Sequence, residues 1–294
     1  MEARRLRYFV VLADELHFGR AAARLHIAQP ALSQQIKALE RRLGFALFDR
    51  DRRRVALTRE GRALLPAAVQ TSTQEQRLMV EAARIRDGEA GEVRVAFVGS
   101  ALYGMLPDLL RHIRSAAPGL RLSVREMESD AQLEALRADD VDIGLVRPPL
   151  RHEPLDMLRL AEEELVAAVP YDHPLAGYEV IAPSSLADEP FVLFRPEIGT
   201  GFWTTVVQLC GEAGFAPRVE HYAEHVHTMI GMVASGLGIT VVPASVRSLA
   251  LAGVRYVGLS PTAARLGLAA VWDPTHGFPA KRRVIRMAGE VAGL

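Results

Sequence analysis

The sequence predicts an α/β protein with an all-α, winged head: an N-terminal winged helix-turn-helix, one long linker helix and a two-lobed α/β body. Three observations carry that expectation. Near the start, two short helical stretches meet at a tight turn ahead of an arginine-rich hairpin. A four-three apolar repeat then runs to residue 85. From Glu92 onward strands and helices alternate.

In the first helix Leu6, Phe9, Val10 and Ala13 share one face, and the pattern stops near Asp14-Glu15. Phe18 and Gly19 read as a break. Arg20 to His26 is a second, short helix whose Ala21, Ala22 and Ala23 let another helix axis approach closely. The turn Ile27-Ala28-Gln29 leads into a third helix at Pro30, where a missing N–H has no intrahelical partner to lose. Leu32, Ile36, Leu39 and Leu43 follow at spacings of four, three and four, which makes one apolar stripe. The opposite face carries Ser33, Gln34, Lys37 and Arg41. Ser and Gln both donate and accept hydrogen bonds, as the mixed pattern of a DNA major groove requires, and Lys37 suits a phosphate or a guanine edge.

A solvated polar face is the bland reading of that helix; the short helix before it favours a helix-turn-helix. Leu47 to Thr58 reads as a hairpin wing, with Arg42, Arg50, Arg52, Arg53 and Arg54 in or beside it. The expected DNA contacts are therefore Gln29, Ser33 and Gln34 on bases and Lys37 nearby. Pro30 sets the angle of entry, and Arg50, Arg53 and Arg54 grip backbone or minor groove.

The residues that carry a family likeness are Phe9, Ala21-Ala22, Leu25, Gln29-Pro30-Ala31-Leu32-Ser33, Ile36, Leu39-Glu40, Leu43-Gly44, Leu47-Phe48, Arg50 and Leu57-Thr58-x-x-Gly61. With them the chain resembles the LysR-type transcriptional regulators, densely up to Gly61 and in layout beyond. The resemblance implies a DNA-binding regulator controlled by a small organic effector. It implies a two-lobed effector domain similar to periplasmic binding proteins, and no cofactor. It also implies a tetramer built as a dimer of dimers, although the residues themselves do not choose four over two. RNA polymerase is a further expected partner if the protein activates.

Residues 58–88 read as one long helix. Thr58, Gly61 and Pro66 mark an early irregularity, after which Leu64, Ala68, Thr71, Glu75, Leu78, Ala82 and Ile85 form the seam of a helix pair. The seam is polar from Thr71 to Gln76, and a solvated linker is the alternative. Asp87 to Gly91 breaks the helix as a hinge. Beyond it, strands at 93–98, 120–126 and 141–146 alternate with helices at 103–116 and 130–138, an order that implies a parallel sheet. A second lobe takes strands at 164–169, 191–194, 219–222 and 238–243 and helices near 201–213 and 225–235. Arg265 to Trp272 returns to the first lobe before a last helix from about 279. The expected domains are 1–58 (head), 59–91 (dimerising linker and hinge) and 92–294 (effector domain). Lobe I covers about 92–162 and 265–294, and lobe II about 163–264.

Open α/β sheets bind ligands beyond the carboxyl ends of their strands, where helix starts offer free N–H groups. Ser100 and Ser129 fall there, each also a natural helix cap. Arg147 follows the third strand, and Asp142 is its alternative partner; Arg195 ranks second as an anion partner. From the opposite lobe Phe194, Gly199, Thr200, Gly201 and Phe202 offer a turn, a helix start and an aromatic wall. Val146-Arg147-Pro148-Pro149 resembles the LysR subgroup that governs aromatic-compound catabolism, which holds small carboxylates at such strand ends. Ala101 departs from that subgroup by bringing neither hydroxyl nor bulk. The expected effector site is Ser100, Ala101, Ser129, Arg147, Phe194, Thr200, Gly201 and Phe202.

Formal net charge is zero, yet it is divided: residues 1–62 hold 14 Lys or Arg against 7 Asp or Glu, and the rest 21 against 28. A basic head on an acidic body fits nucleic-acid binding by the head alone. Cys210, the only cysteine, reads as a buried thiol, so no disulfide is expected. His221, His225 and His227 would need one shared element to hold a metal. The pattern puts the first on a strand and the second at a helix start, so no metal is expected. With no secretory signal or long apolar span expected, the chain reads as cytoplasmic. No Gly-rich phosphate loop, His-Glu-x-x-His or Gly-x-Ser-x-Gly elbow marks an enzyme. The competing readings are a cytosolic solute-binding protein of the periplasmic-binding-protein type and an enzyme without DNA-dependent regulation.

Overall fold

The computed structural model describes residues 2–51, 54–150, 154–197 and 200–294. They form two compact units, residues 1–84 and 85–294. The first contains α1 (Glu2–Glu15), α2 (Phe18–Arg24), α3 (Gln29–Leu43), a hairpin of β1 (Phe48–Asp51) and β2 (Arg54–Leu57), and most of α4 (Arg59–Arg86). The break before α2 lies at Leu16-His17, earlier than the sequence suggests. Leu16 is left-handed (φ 49°), and His17 caps α2 by accepting from the N–H groups of Gly19 and Arg20 at 3.1 and 3.2 Å. Phe18 and Gly19 thus open a helix instead of breaking one.

Helix α3 begins one residue before Pro30 and ends at Gly44, whose left-handed conformation (φ 79°) closes it. Its apolar stripe is buried as expected: Leu32, Ile36 and Leu39 join Phe9, Leu12, Ala21, Ala22, Leu47 and Phe48 in one core, with Phe9 edge-on to Phe48 at 5.6 Å. Ala23, by contrast, faces solvent. Glu40 anchors the hairpin by accepting from the N–H groups of Leu47 and Phe48 at 3.0 and 3.3 Å. Thr58 caps α4, its hydroxyl accepting from Gly61 N–H at 2.8 Å and donating to the Ala46 carbonyl at 2.8 Å. The helix then runs through Pro66 without a break.

The second unit is a doubly layered α/β structure. Its elements are β3 (Gly91–Phe97), α5 (Leu106–Ala116), β4 (Leu120–Glu126), α6 (Ser129–Arg137), β5 (Ile143–Val146), β6 (Asp156–Pro170), β7 (Val180–Ile181), β8 (Pro190–Phe194), α7 (Thr200–Glu212), β9 (Arg218–Ala223), α8 (Val226–Ala234), β10 (Thr240–Pro243), β11 (Val254–Leu259), β12 (Arg265–Trp272) and α9 (Pro279–Ala292). Strand order is β4-β3-β5-β12-β6-β11-β7, with β10 also on β6 and β8 paired to β9. Only β4, β3 and β5 are mutually parallel in the first lobe; β12 is antiparallel to both β5 and β6. The three strands expected to be parallel are so, and the antiparallel β12 makes the whole sheet mixed.

Strand β6 is the main departure from the sequence reading, which began it at Glu164. It starts at Asp156, pairs with β12 through its first half and with β10 and β11 through its second, and so runs through both lobes. The first half escapes notice because Glu162, Glu163 and Glu164 interrupt its apolar pattern and half of it is exposed. Phe97, Leu106, Ile113, Leu145 and Met287 pack one face of the first lobe, and Leu133, Leu136, Val146 and Ala269 the other. Phe191, Leu165, Ile230 and Cys210 belong to the core of the second. Burial pushes the Cys210 thiol up to about 11, in keeping with a packing role. After α4 the chain turns at Asp87-Gly88. Gly88 is left-handed (φ 71°) against the Pro279 carbonyl, so a Cβ there would stand 2.8 Å from that oxygen.

Candidate functional site

The first unit presents the polar face of α3. Gln29, Pro30, Gln34 and Lys37 are exposed and Ser33 is half-buried, while the opposite face of the same helix fills the core. Gln35, on the flank, accepts from Arg5 Nε at 2.9 Å and so braces α3 against α1. Arg50 and Arg54 sit on paired strands. Their side chains, and all of Arg53, lie outside the described residues.

In the second unit one small cavity gathers most of the ligand residues expected from sequence. Ser100, Ser129, Arg147, Phe194, Gly201 and Phe202 line it, joined by Val98, Gly99, Glu128 and Val226; its volume is about 20 Å³. That is room for a water molecule, so an organic ligand enters only as the walls part. Phe194 and Phe202 meet edge-on at 5.1 Å as the apolar wall. Thr200 opens α7 beside Gly201, but its side chain lies outside the described residues.

Three expectations are corrected. Ala101 does not line the cavity; it is fully buried in the first lobe's core, because Gly99–Tyr103 winds as a 3₁₀ turn that points it inward. The helix expected at 103 starts only at Leu106, so Ser100 lies within the 3₁₀ turn and not at the start of an α-helix. Neither serine caps a helix: Ser129 is the first residue of α6, and the cap position before it belongs to Glu128.

Arg147 is the hub of the arrangement and is itself only 3% exposed. Its backbone N–H donates to Ser129 Oγ at 3.2 Å and its Nε to Ser100 Oγ at 3.1 Å. Nη1 donates to the Gly267 carbonyl at 3.2 Å, and Nη2 lies 2.8 Å from Glu163 Oε1. Burial holds the guanidinium below its ordinary pKa while Glu163 pushes it back up. Asp142, the partner weighed from sequence, belongs instead to Arg94 at 2.8 Å. The fork expected to grip a ligand is thus already engaged, and its effect is to orient two hydroxyls. Each serine oxygen accepts from Arg147, so each hydroxyl proton is left to donate into the cavity. Arg195, the second candidate, is exposed, stands over the Tyr222 ring and does not line this space.

Sequence reasoning missed Glu163 and Glu128. Glu163 is one of three consecutive glutamates on β6, and nothing local distinguishes it. Glu128 stands at the cap position of α6, yet its side chain makes no capping bond. Burial, then the charges of Glu126 and Asp130, push its carboxyl up to about 7 from an ordinary 4.5. The folded protein therefore keeps a proton there that the unfolded chain releases, and stability falls as pH rises between those two values. Melting followed from pH 5 to 8 should show this loss, on the order of 2 kcal/mol, and Glu128→Gln should abolish it.

His225 and His227 stack at 5.3 Å, with His225 Nδ1 3.5 Å from Glu126 Oε1 across the lobes, while His221 is on β9. Among the described residues no three ligating side chains converge on a metal position, and no helix is long and apolar enough to cross a membrane.

Comparison with known proteins covers nearly the whole chain. The family model "Bacterial regulatory helix-turn-helix protein, lysR family" matches residues 3–62, and "LysR substrate binding domain" matches 86–293. The transcriptional regulator AlsR of Bacillus subtilis is 38% identical over 87% of this chain and 85% of its own. The regulator CatR of Pseudomonas putida is 38% identical over 88% of each. Among solved structures, CbnR, a LysR family transcriptional regulator, superposes with a TM-score of 0.86 at 27% identity over 98% of this chain and 100% of its own. A second CbnR structure, complexed with its target DNA, gives 0.84, also at 27% identity, over 99% of this chain and 100% of its own.

Proposed function

Because this chain belongs to the LysR family of DNA-binding transcription regulators, we propose that it reads its operator with α3 and is switched by a small carboxylate held between two lobes. The observation that carries the second part is the cavity, where residues of both lobes meet around two hydroxyls oriented by one buried arginine. The carboxylate sits on Ser100 and Ser129, which donate to it beside the N-terminus of α6, with Phe194 and Phe202 against its carbon skeleton. Gly201 and Thr200 close the site from the second lobe. Arg147 acts from behind as the positioning group. A ligand held by both lobes binds their closed arrangement better than the open one, and only that difference shifts a population. The hinge at 87–91 transmits it to the head, with RNA polymerase as a further partner if the outcome is activation. In this reading the chain is no enzyme and acts in the cytoplasm, where its operator is. Residues 1–58, 59–91 and 92–294 divide the work as head, linker and effector domain. A thermal-shift screen of small carboxylates tests the site, since a ligand of the folded state raises its melting temperature; a hit whose shift survives Ser129→Ala would overturn it.

On DNA, Gln29, Ser33 and Gln34 read base edges, Lys37 meets a phosphate or a guanine edge, Arg50, Arg53 and Arg54 grip backbone or minor groove, and Pro30 sets the entry angle. Gln34→Ala should change the ranking of operator variants by about 1–3 kcal/mol at the base it reads. An unchanged ranking in a mobility-shift series would move the reading face elsewhere.

Two copies pair through α4. Leu78, Met79, Val80 and Ile85 are all more than half exposed there, an apolar run that a lone helix leaves in water. Leu78→Asp should weaken dimers and operator binding together by at least about tenfold, as read by sedimentation and mobility shift. Full dimerisation in that variant would mean that another surface joins the copies.

A further inference from the structure

The cavity that holds the proposed carboxylate has a second polar end. Glu128 lines it together with Ser100, Ser129 and Phe194. The short polar side chains favoured at the cap position of a helix turn back to the first free N–H groups. Glu128 does not, and its carboxylate has no hydrogen-bond or ion-pair partner among the described residues. The charges around the cavity are accordingly unequal. Arg147 is matched by Glu163 at 2.8 Å, so among the described residues the one lining group without a charge partner is the Glu128 carboxyl, which is ionised above about pH 7.

A plain carboxylate entering this cavity brings a second anion next to Glu128 in a confined, partly buried site, and two close carboxylates there disfavour each other's ionisation. A ligand with a cationic end has no such conflict. Its negative end meets two hydroxyl donors, and its positive end meets the one free carboxylate. We propose that the effector is a small zwitterion, an amino acid or another amine-bearing carboxylic acid, whose carboxylate sits on Ser100 and Ser129 and whose ammonium faces Glu128. This inference rests on the cavity being the effector site and adds the chemical class of its ligand.

The two chemistries respond to pH with opposite sign. The groups facing Glu128 are Glu126 from β4, Asp130 from α6, Arg147 after β5, and His225 before α8 by way of Glu126. Glu128 takes up a proton near neutrality, where its ammonium partner would be lost and a plain carboxylate would gain a donor. Zwitterion affinity therefore falls as pH is lowered through about 7, whereas that of a plain acid rises.

Calorimetric titration of the full chain with the twenty protein amino acids tests this, each hit being compared with its deaminated acid and its decarboxylated amine. The amino acid is expected to bind at least about tenfold tighter than either analogue. Glu128→Gln, nearly isosteric and checked for folding by its melting temperature, should weaken the amino acid about tenfold or more and flatten its pH profile. The same change should tighten the deaminated acid. His225→Gln, run in parallel, removes the imidazole beside Glu126 and should leave that profile standing. The proposal fails if the deaminated acid binds wild type more tightly than the amino acid, if Glu128→Gln leaves the amino acid's affinity unchanged, or if no amino acid binds. Ser129→Ala separates the two levels. Binding that needs Ser129 but ignores Glu128 removes only the zwitterion, and binding indifferent to Ser129 removes the cavity as the site.

Discussion

Arg147→Met is expected to destabilise the 85–294 unit by about 3–5 kcal/mol, because it strands Glu163 in a buried site with its cation gone. Only one oxygen of that carboxylate is engaged even in the wild type: Oε1 meets Nη2, while Oε2 is buried without a hydrogen-bond partner among the described residues. Removing the guanidinium also frees Ser100 Oγ and the Gly267 carbonyl from their donor. Glu163→Gln alone should cost less, since an amide can still accept from Arg147, and the double variant Arg147→Met with Glu163→Gln should regain much of the loss. Urea denaturation of the wild type, both single variants and the double variant measures this coupling directly. A wild-type midpoint for Arg147→Met would mean that the ion pair contributes nothing to stability. A lost ligand response in Arg147→Met therefore reports damage to the fold as much as to the site. Ser129→Ala is the cleaner probe, removing one ligand donor and leaving one N–H short of a partner, at about 1–3 kcal/mol.

What sequence conveyed about this site follows from how local each feature is. The strand-end rule found Ser100, Ser129 and Arg147, because a strand's end and the helix after it are both visible within a few residues. Phe194, Gly201 and Phe202 were found likewise from the other lobe. Glu163 was not, since its role depends on β6 running on past the first lobe, and its charged neighbours hide that strand. Sequence marks Arg147 as the cation nearest the cleft and offers the neighbouring Asp142 as its alternative partner. The actual partners, Ser100 and Glu163, stand 47 and 16 residues away and meet it only once the sheet has formed. Glu128 reads from sequence as one more acid near a helix start, and only the absent capping bond singles it out.

In the head the same logic gives a better result. The stripe Leu32, Ile36, Leu39 is a property of one helix, and burying it fixes which face stays outside. The break before α2 was misplaced by two residues because histidine is an uncommon cap, so Phe18-Gly19 looked like the better interruption. Glu40 holding the start of the hairpin was likewise invisible: an acid on a helix facing two N–H groups seven and eight residues on is tertiary structure, with no sequence pattern of its own.

Helix α7 supplies the closing test, since it offers one substitution at two places with opposite expected signs. A Cβ built on Gly201 would stand 2.0 Å from the Arg147 carbonyl oxygen and 3.1 Å from the Pro148 carbonyl carbon, both backbone atoms that no rotamer change can move aside. Gly201→Ala must therefore push the start of α7 away from the end of β5 by about an ångström, at a cost of about 1–3 kcal/mol. That contact joins the second lobe to the first at the cavity wall, so the closed arrangement carries the cost. Ligand affinity should fall about 5- to 150-fold in calorimetry, and the melting temperature with it. Gly211, near the other end of the same helix, has nothing within 4 Å of its Cβ position and an exposed backbone. Gly211→Ala should accordingly stabilise the helix by up to about 1 kcal/mol and leave ligand affinity alone. Equal behaviour of the two variants would mean that α7 responds only to its own helix propensity and that the lobes do not close on Gly201. A selective loss at Gly201 ties the fit of α7 against Arg147 to ligand binding.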